Sequence, residues 1–308
     1  MDHSGFGDAP SQGHMSAESS TTAAAAPKLK PASFGQATLA DRLSDFPWWV
    51  LFLLLISAAL IYNFITNATY NEILGRLLSG ISLTITITIN AFLLAMVIGL
   101  FTAFGQMSKN PVARNLATLY VQIVRGIPTL VLILYVAIAI VPLFAGWIQG
   151  LGDWMASMGW IAAENPLSNL NQRNISYTVR GIIALAVNYG AFSAEIFRAG
   201  IQSIEKGQVE ASRALGLTWT QSMRFIILPQ AFRRILPPLG NDFISMLKES
   251  SLLSALGVNE ITQLGKKDAS ASFLYLETYS TLAFLYLSMT LILSMGVKYM
   301  EKRLKTGD

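Results

Sequence analysis

The sequence has no cysteine among its 308 residues, and its two histidines, His3 and His14, both lie near the N-terminus. The absence of cysteine excludes thiol chemistry, disulfides and cysteine-ligated zinc sites. Histidine general-base catalysis in a packed site is excluded as well, because a polar tail holds both imidazoles. Charged residues make up only 13%, against about 25% in typical soluble domains, whereas hydrophobic residues reach 53%. So little charge cannot coat a soluble surface of this size, which indicates a membrane protein.

Residues 1–45 are rich in Ser, Ala, Gly, Thr and Pro and have almost no large apolar side chains. Such a composition buries too little surface to offset the entropy of ordering, so it predicts a disordered tail. A secretory signal peptide is not expected, because no apolar segment appears before Trp48.

After the tail, uncharged or nearly uncharged intervals recur at lengths that suit the ~20 helical residues needed to cross a bilayer. The interval from Leu77 to Ser108 contains alternating Thr and Ile residues with a strand-like period of two. A segment of this length in lipid must satisfy its own backbone hydrogen bonds, which favours helix. The sequence therefore predicts an all-α membrane protein with about six spans, at residues 47–66, 79–105, 116–145, 178–198, 236–258 and 278–298.

The distribution of Lys and Arg predicts the orientation of these spans. If the N-terminus is cytoplasmic, 16 basic residues lie inside and five outside, with Lys248 within a span. The excess of basic residues on cytoplasmic loops then places both termini in the cytoplasm. The five outside residues are Arg76, Arg173, Arg180, Lys266 and Lys267, and the tail contributes Lys28, Lys30 and Arg42 to the inside.

The connection between the fourth and fifth spans, Gly207 to Pro238, is too polar for the bilayer and too regular for a simple linker. It predicts one helix that stops at Gly216 and a second that begins with a capping box formed by Thr218 and Gln221. Pro229 is expected to end the second helix. Such a bent element suits docking of another protein, and small side chains that permit close approach stand at Ala211, Ser212 and Ala214.

This connection resembles the signature of permease subunits of bacterial binding-protein-dependent ABC importers. That signature reads Glu-Ala-Ala, three residues, Gly, nine residues, Ile, one residue and Leu-Pro. The chain matches its spacing at Glu210, Ala211, Ser212, Gly216, Ile226, Leu228 and Pro229. The single departure is Ser212 in place of the second Ala, which is a small change in size. Matching positions over 20 residues make this signal specific.

Three further segments resemble the polar amino acid subfamily, which includes histidine, glutamine, glutamate and arginine permeases. The run Tyr120–Pro128 looks like its Arg-Gly-Thr-Pro segment with Ile127 in place of Thr, and Asn188–Arg198 looks like its fourth-span motif. Leu236–Asn241 and the run Lys248-Glu249-Ser250-Ser251-Leu252 resemble the next span. The resemblance covers about residues 75–305.

The resemblance implies a five-helix permease core at 75–305, with an added first transmembrane helix at 46–70 and the coupling element at 207–229. It implies cytoplasmic ABC ATPase subunits docked on that element, a second permease subunit, identical or paralogous, and an extracytoplasmic solute-binding protein that delivers a polar amino acid. The expected location is the bacterial inner (plasma) membrane. It implies no nucleic-acid partner and no cofactor in this chain, since ATP and Mg would be bound by the partner ATPase. The chain itself lacks the GxxxxGK[ST] phosphate loop.

Ionisable residues inside spans are costly and usually face a cavity or a partner. Glu195 and Asn188, seven residues apart, are candidates to line the substrate pathway and neutralise a cationic group. The alternative is that Glu195 forms a structural ion pair with Lys248 or Arg198. Lys248, near mid-span, is the third pathway candidate, with pairing to Glu249 or Glu195 as its alternative.

Arg125, Gly126 and Pro128 are expected to shape a helix break, with Arg125 holding exposed carbonyls. Two rival functions remain at this point. A membrane enzyme would need a base that the tail histidines cannot supply, and a metalloprotease would need the HExxH motif that the chain lacks. A secondary transporter or channel that works without an ATPase is compatible with six spans.

Overall fold

The computed structural model describes residues 48–162, 165–167 and 174–305. The predicted disordered tail lies outside these residues, and so do Arg173 and the basic residues of the tail that entered the orientation argument. Within the described ranges the regular elements are all helical, which confirms the predicted all-α class.

The helices follow one another with short connections. They are α1 (Trp48–Thr66), α2 (Ala68–Leu78), α3 (Ile81–Gln106), α4 (Pro111–Gly126), α5 (Thr129–Tyr135), α6 (Val141–Ser157), α7 (Tyr177–Gln202), α8 (Lys206–Ala214), α9 (Trp219–Ser222), α10 (Leu228–Glu249), α11 (Ile261–Ser272) and α12 (Tyr275–Lys305). Two π-helical turns, Val136–Ile140 and Met223–Ile227, join α5 to α6 and α9 to α10, and a 3-10 turn, Ser250–Leu256, follows α10.

Five helical stretches of the described ranges are long and apolar enough to cross a membrane: Trp48–Thr66, Ala68–Gln106, Thr129–Ser157, Tyr177–Gln202 and Tyr275–Leu304. They overlap five of the six predicted spans. The remaining prediction, 236–258, begins within α10 and ends beyond the 3-10 turn. This segment carries three charged residues and two prolines, which explains why it is less apolar than the others.

The predicted span 116–145 is not one helix. Its first part belongs to α4, which ends at Gly126, and the crossing stretch begins at Thr129. Ile127 has extended dihedrals (φ −100°, ψ 136°) because the ring of Pro128 disfavours helical geometry in the preceding residue. The predicted bounds of the span were wrong because apolarity extends across the break, which falls at the residues expected to shape it: Arg125, Gly126 and Pro128. The crossing stretch continues through α6 to Ser157, beyond the predicted end at residue 145.

Both π turns stand directly before a proline at the second position of the next helix, Pro142 in α6 and Pro229 in α10. Each turn closes with a hydrogen bond between residues five apart, as from the N–H of Leu228 to the carbonyl of Met223. Proline has no N–H and its ring crowds the preceding turn, so a wider turn lets the helix continue. The predicted helix end at Pro229 is therefore wrong, because the chain runs from α9 through the π turn into α10.

The centre of the fold is the contact between α3 and α7. One face of α3 consists of small, buried residues: Ala91, Ala95, Gly99 and Ala103. At the crossing, a Cβ placed on Gly99 would lie 2.7 Å from the Cβ of Ser193 and 3.1 Å from the carbonyl oxygen of Gly190. The two backbones therefore approach as closely as small-residue helix pairs in membranes do.

The segment with alternating Thr and Ile is helical, as its length predicted. Thr84 and Thr88 are fully buried on α3. Their hydroxyls donate to the carbonyls of Gly80 and Thr84, at 3.0 and 2.8 Å. These bonds to the preceding helical turn satisfy the two buried hydroxyl groups within α3 and its first cap.

Polar contacts tie α11 to α2 and α12. Arg76 Nε lies 2.6 Å from Asp268 Oδ1, and the Thr278 hydroxyl donates to Asp268 Oδ2 at 3.2 Å. Glu260 is fully buried, caps α11 and accepts a hydrogen bond from the Tyr286 hydroxyl at 2.9 Å. Burial raises the pKa of the Glu260 carboxyl, and the N–H donors at the start of α11 oppose that rise. These contacts fix α11 beside the first turns of α12.

Replacing Gly99 by Ala tests the α3–α7 contact. We expect the Gly99→Ala variant to lose about 1–3 kcal/mol of stability, because the new methyl group overpacks the crossing. Thermal unfolding of the purified protein in detergent measures the loss. The control is Gly75→Ala on α2, where a Cβ would meet no atom within 4 Å. Equal melting temperatures for the two variants would show that the crossing tolerates a wider separation.

Candidate functional site

The coupling element, residues 207–229, has a defined local geometry. Gly216 follows α8 with φ 76°, a left-handed conformation that favours glycine. The Thr218 hydroxyl accepts from the N–H of Gln221, and the Gln221 side chain accepts from the N–H of Thr218, so the predicted capping box is present. The bend between α8 and α9 is thus fixed by backbone conformation and paired hydrogen bonds.

The seven signature residues are distributed over the surface and the interior of this element. Glu210, Ala211, Gly216, Leu228 and Pro229 are exposed, and Ile226 is half-buried. Ser212 is fully buried, and its hydroxyl donates to the carbonyl of Val209 at 2.7 Å. Its small size therefore serves packing within the element, not the direct approach of a partner that the sequence suggested.

The element also exposes large apolar side chains that the sequence analysis did not single out. Leu215, Trp219 and Phe225 are 78%, 65% and 63% exposed, and the guanidinium carbon of Arg224 lies 5.6 Å from the ring centroid of Phe225. A group of exposed apolar residues on a polar connection is typical of a protein-binding surface. These three apolar residues lie between the signature positions on a polar connection, and that pattern in the sequence could have identified them as surface residues.

At the helix break, Arg125 and Gly126 end α4, and Pro128 precedes α5. Arg125 was expected to hold exposed carbonyls. Instead its guanidinium carbon lies 5.6 Å from the ring centroid of Phe192 on α7, and it makes no hydrogen bond within the described ranges. Its charge is therefore available on one side of a cavity.

This cavity, the arginine-lined cavity, has a volume of about 530 Å³ between the C-terminal half of α7 and the N-terminal half of α10. Its lining consists of Arg125, Glu195, Ile196, Ala199, Gly200, Ser203, Arg234 and Pro238. Glu195 Oε2 lies 2.6 Å from Arg198 Nη2, and its other oxygen accepts from Gln106 at 3.2 Å. Glu195 therefore lines a cavity, as one alternative expected, and is paired with Arg198, as the other expected.

A second group of polar side chains lies further along the same two helices. Asp242 and Glu249, the acidic pair, are seven residues apart and share one side of α10. Each has one buried carboxylate oxygen without a hydrogen-bond partner among the described residues. Tyr189 of α7 lies beside Glu249 and interacts with its carboxyl. Two neighbouring carboxylates with unpaired buried oxygens form a site suited to a cation.

The other two predicted pathway residues have different surroundings. Asn188 is 1% exposed, does not line the arginine-lined cavity, and has no partner for Nδ2 in the described part of the chain. Lys248 is exposed and forms no ion pair within 4 Å among the described residues, but its charge attracts the Glu249 carboxylate at longer range, whereas no interaction with Glu195 is seen there. The acidic pair was missed as a site because only the i,i+7 spacing on α10 marks it.

Comparison with known proteins gives consistent similarities. Residues 95–306 match the family described as binding-protein-dependent transport system inner membrane component. The chain is 35% identical over 265 residues to the arginine transport system permease protein ArgU of Corynebacterium glutamicum, covering 82% of this chain and 79% of that protein. It is 31% identical to the glutamine transport system permease protein GlnP of Escherichia coli, covering 74% and 93%. The crystal structure of an amino acid ABC transporter with histidines aligns with TM-score 0.61 and 33% identity, covering 78% of this chain and 98% of that one.

Replacing Gly216 by Val tests the bend of the coupling element. A β-branched residue at positive φ is strained by about 1–3 kcal/mol, so we expect faster amide exchange in residues 208–222. Hydrogen–deuterium exchange measured by mass spectrometry reports the change. Gly207→Val is the matched control, because Gly207 has ordinary φ and open space around its Cα. Unchanged exchange in the Gly216 variant would mean that the bend does not need glycine.

Proposed function

The chain belongs to the family of binding-protein-dependent transport system inner membrane components, and it is the permease subunit of an ABC importer of amino acids. On that premise we propose that it forms a translocation path with a second permease subunit and is driven by cytoplasmic ATPases that dock on the coupling element. We further propose that ATP and Mg are bound by those ATPases and that a solute-binding protein delivers substrate from outside.

The observation that carries this proposal is the exposed coupling element. It combines a rigid bend at Gly216, exposed Glu210, and apolar Leu215 and Trp219 on a segment too polar for the bilayer. A rigid surface of mixed apolar and charged character suits a stable protein contact. The alternative of an ATPase-free transporter or channel offers no use for such a surface.

The geometry suggests how a movement of the coupling element reaches the substrate path. The chain runs from α9 through the π turn into α10 without a loop, and α10 carries Asp242 and Glu249. Displacement of the coupling element would therefore tilt α10 against α7 and change the surroundings of Tyr189. ATP binding and release in the partner would bias two arrangements of these helices.

The acidic pair favours an amino acid with a cationic side chain as substrate. A guanidinium or ammonium group between Asp242 and Glu249 would pair the carboxylate oxygens that are otherwise buried without partners. The arginine transport system permease of Corynebacterium glutamicum, which is 35% identical, supports the same class. We propose arginine as the first substrate to test.

The inner membrane is the expected location of a chain with these apolar helices. The excess of basic residues on one set of connections supports cytoplasmic termini. In this orientation the coupling element faces the ATPases, and α11 lies towards the solute-binding protein.

The proposal is tested by reconstituting the complex in proteoliposomes. ATP hydrolysis is expected to rise when the liganded solute-binding protein is added. Gly216→Val and Glu210→Lys are expected to lose this stimulation, the first through the bend and the second through a reversed charge on an exposed position. Steady-state ATP hydrolysis and retention of the ATPase on affinity purification are measured on the same preparations.

Gly207→Val is the control for Gly216→Val, because it makes the same substitution in the first turn of α8. Glu72→Lys is the control for Glu210→Lys, because it makes the same charge reversal on α2. All four variants should reach the membrane at comparable levels. Full arginine uptake with the ATPase omitted would exclude the importer proposal. Normal ATPase retention in both coupling variants would mean that residues 207–229 only connect α7 to α10.

The acidic pair is tested with Asp242→Asn and Glu249→Gln. Each removes one negative charge with little change in shape, and we expect uptake of arginine to fall about tenfold or more at subsaturating concentration. Uptake of radiolabelled arginine into proteoliposomes gives the rate. Glu72→Gln, an exposed carboxylate on α2, should leave uptake unchanged. Retained arginine uptake in both α10 variants would place the cation site elsewhere.

A further inference from the structure

The arginine-lined cavity has an excess of positive charge that the proposed cation site does not use. Arg125 and Arg234 line it, with Glu195 as the only acidic lining residue. That carboxylate is already paired with Arg198 at 2.6 Å. Arg234 donates to the backbone carbonyl of Ser203 at 2.5 Å. Arg125 lies over the face of Phe192 and attracts the Glu195 carboxylate at longer range, without an ion pair within 4 Å in the described residues. Neither guanidinium has a carboxylate within 4 Å in the described residues, and the one acidic lining residue is already paired with Arg198, so the cavity suits an anion.

The cavity continues the interface that holds the acidic pair. Both lie between α7 and α10. Pro238 of the cavity is one turn before Asp242, and Arg234 is two turns, or about 12 Å, before it on the same helix. In the orientation proposed above, the cavity is on the cytoplasmic side of the acidic pair. The interface therefore changes from negative to positive in the direction of import.

We propose that the arginine-lined cavity is an exit site that binds the carboxylate of the transported amino acid before its release to the cytoplasm, through the guanidinium groups of Arg125 and Arg234. This inference rests on the proposed function. The volume of about 530 Å³ lies within the range of about 300–1,000 Å³ for small-molecule sites. Apolar lining from Ile196, Ala199 and Pro238 accommodates the aliphatic part of such a ligand.

The exit site has a consequence for regulation by accumulated product. An amino acid that rebinds from the cytoplasm would occupy the interface between α7 and α10 and oppose its return to the outward arrangement. Cytoplasmic arginine should therefore slow import. Agmatine, which has the guanidinium group of arginine but no carboxylate, should slow it less, because it has nothing to offer Arg125 and Arg234.

The experiment uses proteoliposomes that contain the complete complex with its ATPase in the lumen, which stands for the cytoplasm. The solute-binding protein and radiolabelled arginine are added outside, and ATP with unlabelled arginine or agmatine is enclosed. The half-inhibitory concentration of lumenal arginine is expected to rise about tenfold in Arg125→Gln and in Arg234→Gln, the change expected for losing a charge-assisted hydrogen bond. Arg125→Lys and Arg234→Lys should recover part of it, since they keep the charge.

Arg233→Gln is the matched control, because it removes the same charge from the neighbouring position of α10 and lies outside the cavity lining. Each rate is compared with that of the same variant without lumenal arginine, which separates inhibition from loss of folded protein.

Equal inhibition by arginine and agmatine, or an unchanged half-inhibitory concentration in both glutamine variants, would overturn the exit site. Inhibition by lumenal inorganic phosphate, or an effect of the variants only in vesicles with anionic phospholipid, would assign the cavity to phosphate or to lipid headgroups. Absence of uptake dependent on the solute-binding protein in the unaltered complex would instead contradict the proposed function.

Discussion

The close contact between α3 and α7 is the constraint on which the rest of the structure depends. In a lipid environment, apolar side chains gain little by turning inward, so helices associate where small residues let their backbones meet. Gly99 and Gly190 provide that meeting point, and the buried alanines of α3 extend it. The long side chains of the two helices then project away from this contact. Further along α7, Gly200 packs against Ile235 of α10.

This arrangement explains why polar groups concentrate between α7 and α10. The α7 helix is anchored on α3 by small residues, and it also carries Tyr189, which is buried, and Glu195, which accepts a hydrogen bond from Gln106 at the end of α3. α10 contributes both signs of charge, Arg234 near its start and Asp242 and Glu249 further on. Isolated charges of this kind would be costly in lipid, but an interface between two helices shields them from it.

Sequence reasoning predicted the parts of the molecule that local physics determines. Long uncharged intervals predicted helices, and the positive φ of Gly216 and the capping box of Thr218 followed from residue types at fixed offsets. It failed where contacts between residues distant in sequence determine the position of a side chain. The burial of Ser212, the pairing of Glu195 with Gln106 and the stacking of Arg125 on Phe192 all depend on tertiary packing. The helix end predicted at Pro229 was wrong because proline usually stops a helix, whereas the π turn Met223–Ile227 lets this helix continue.

The π turn before Pro229 fixes the rotational phase of α10 relative to the coupling element. A π turn contains about one residue more than an α turn, and each residue rotates a helix by about 100°. Removing the extra residue would therefore rotate everything beyond it by roughly that angle and turn Asp242 and Glu249 away from Tyr189. An insertion or deletion of one residue between Gly216 and Asp242 would be far more disruptive than most substitutions there. The length of this segment, more than its individual side chains, is what aligns the exposed surface of the coupling element with the acidic pair on α10.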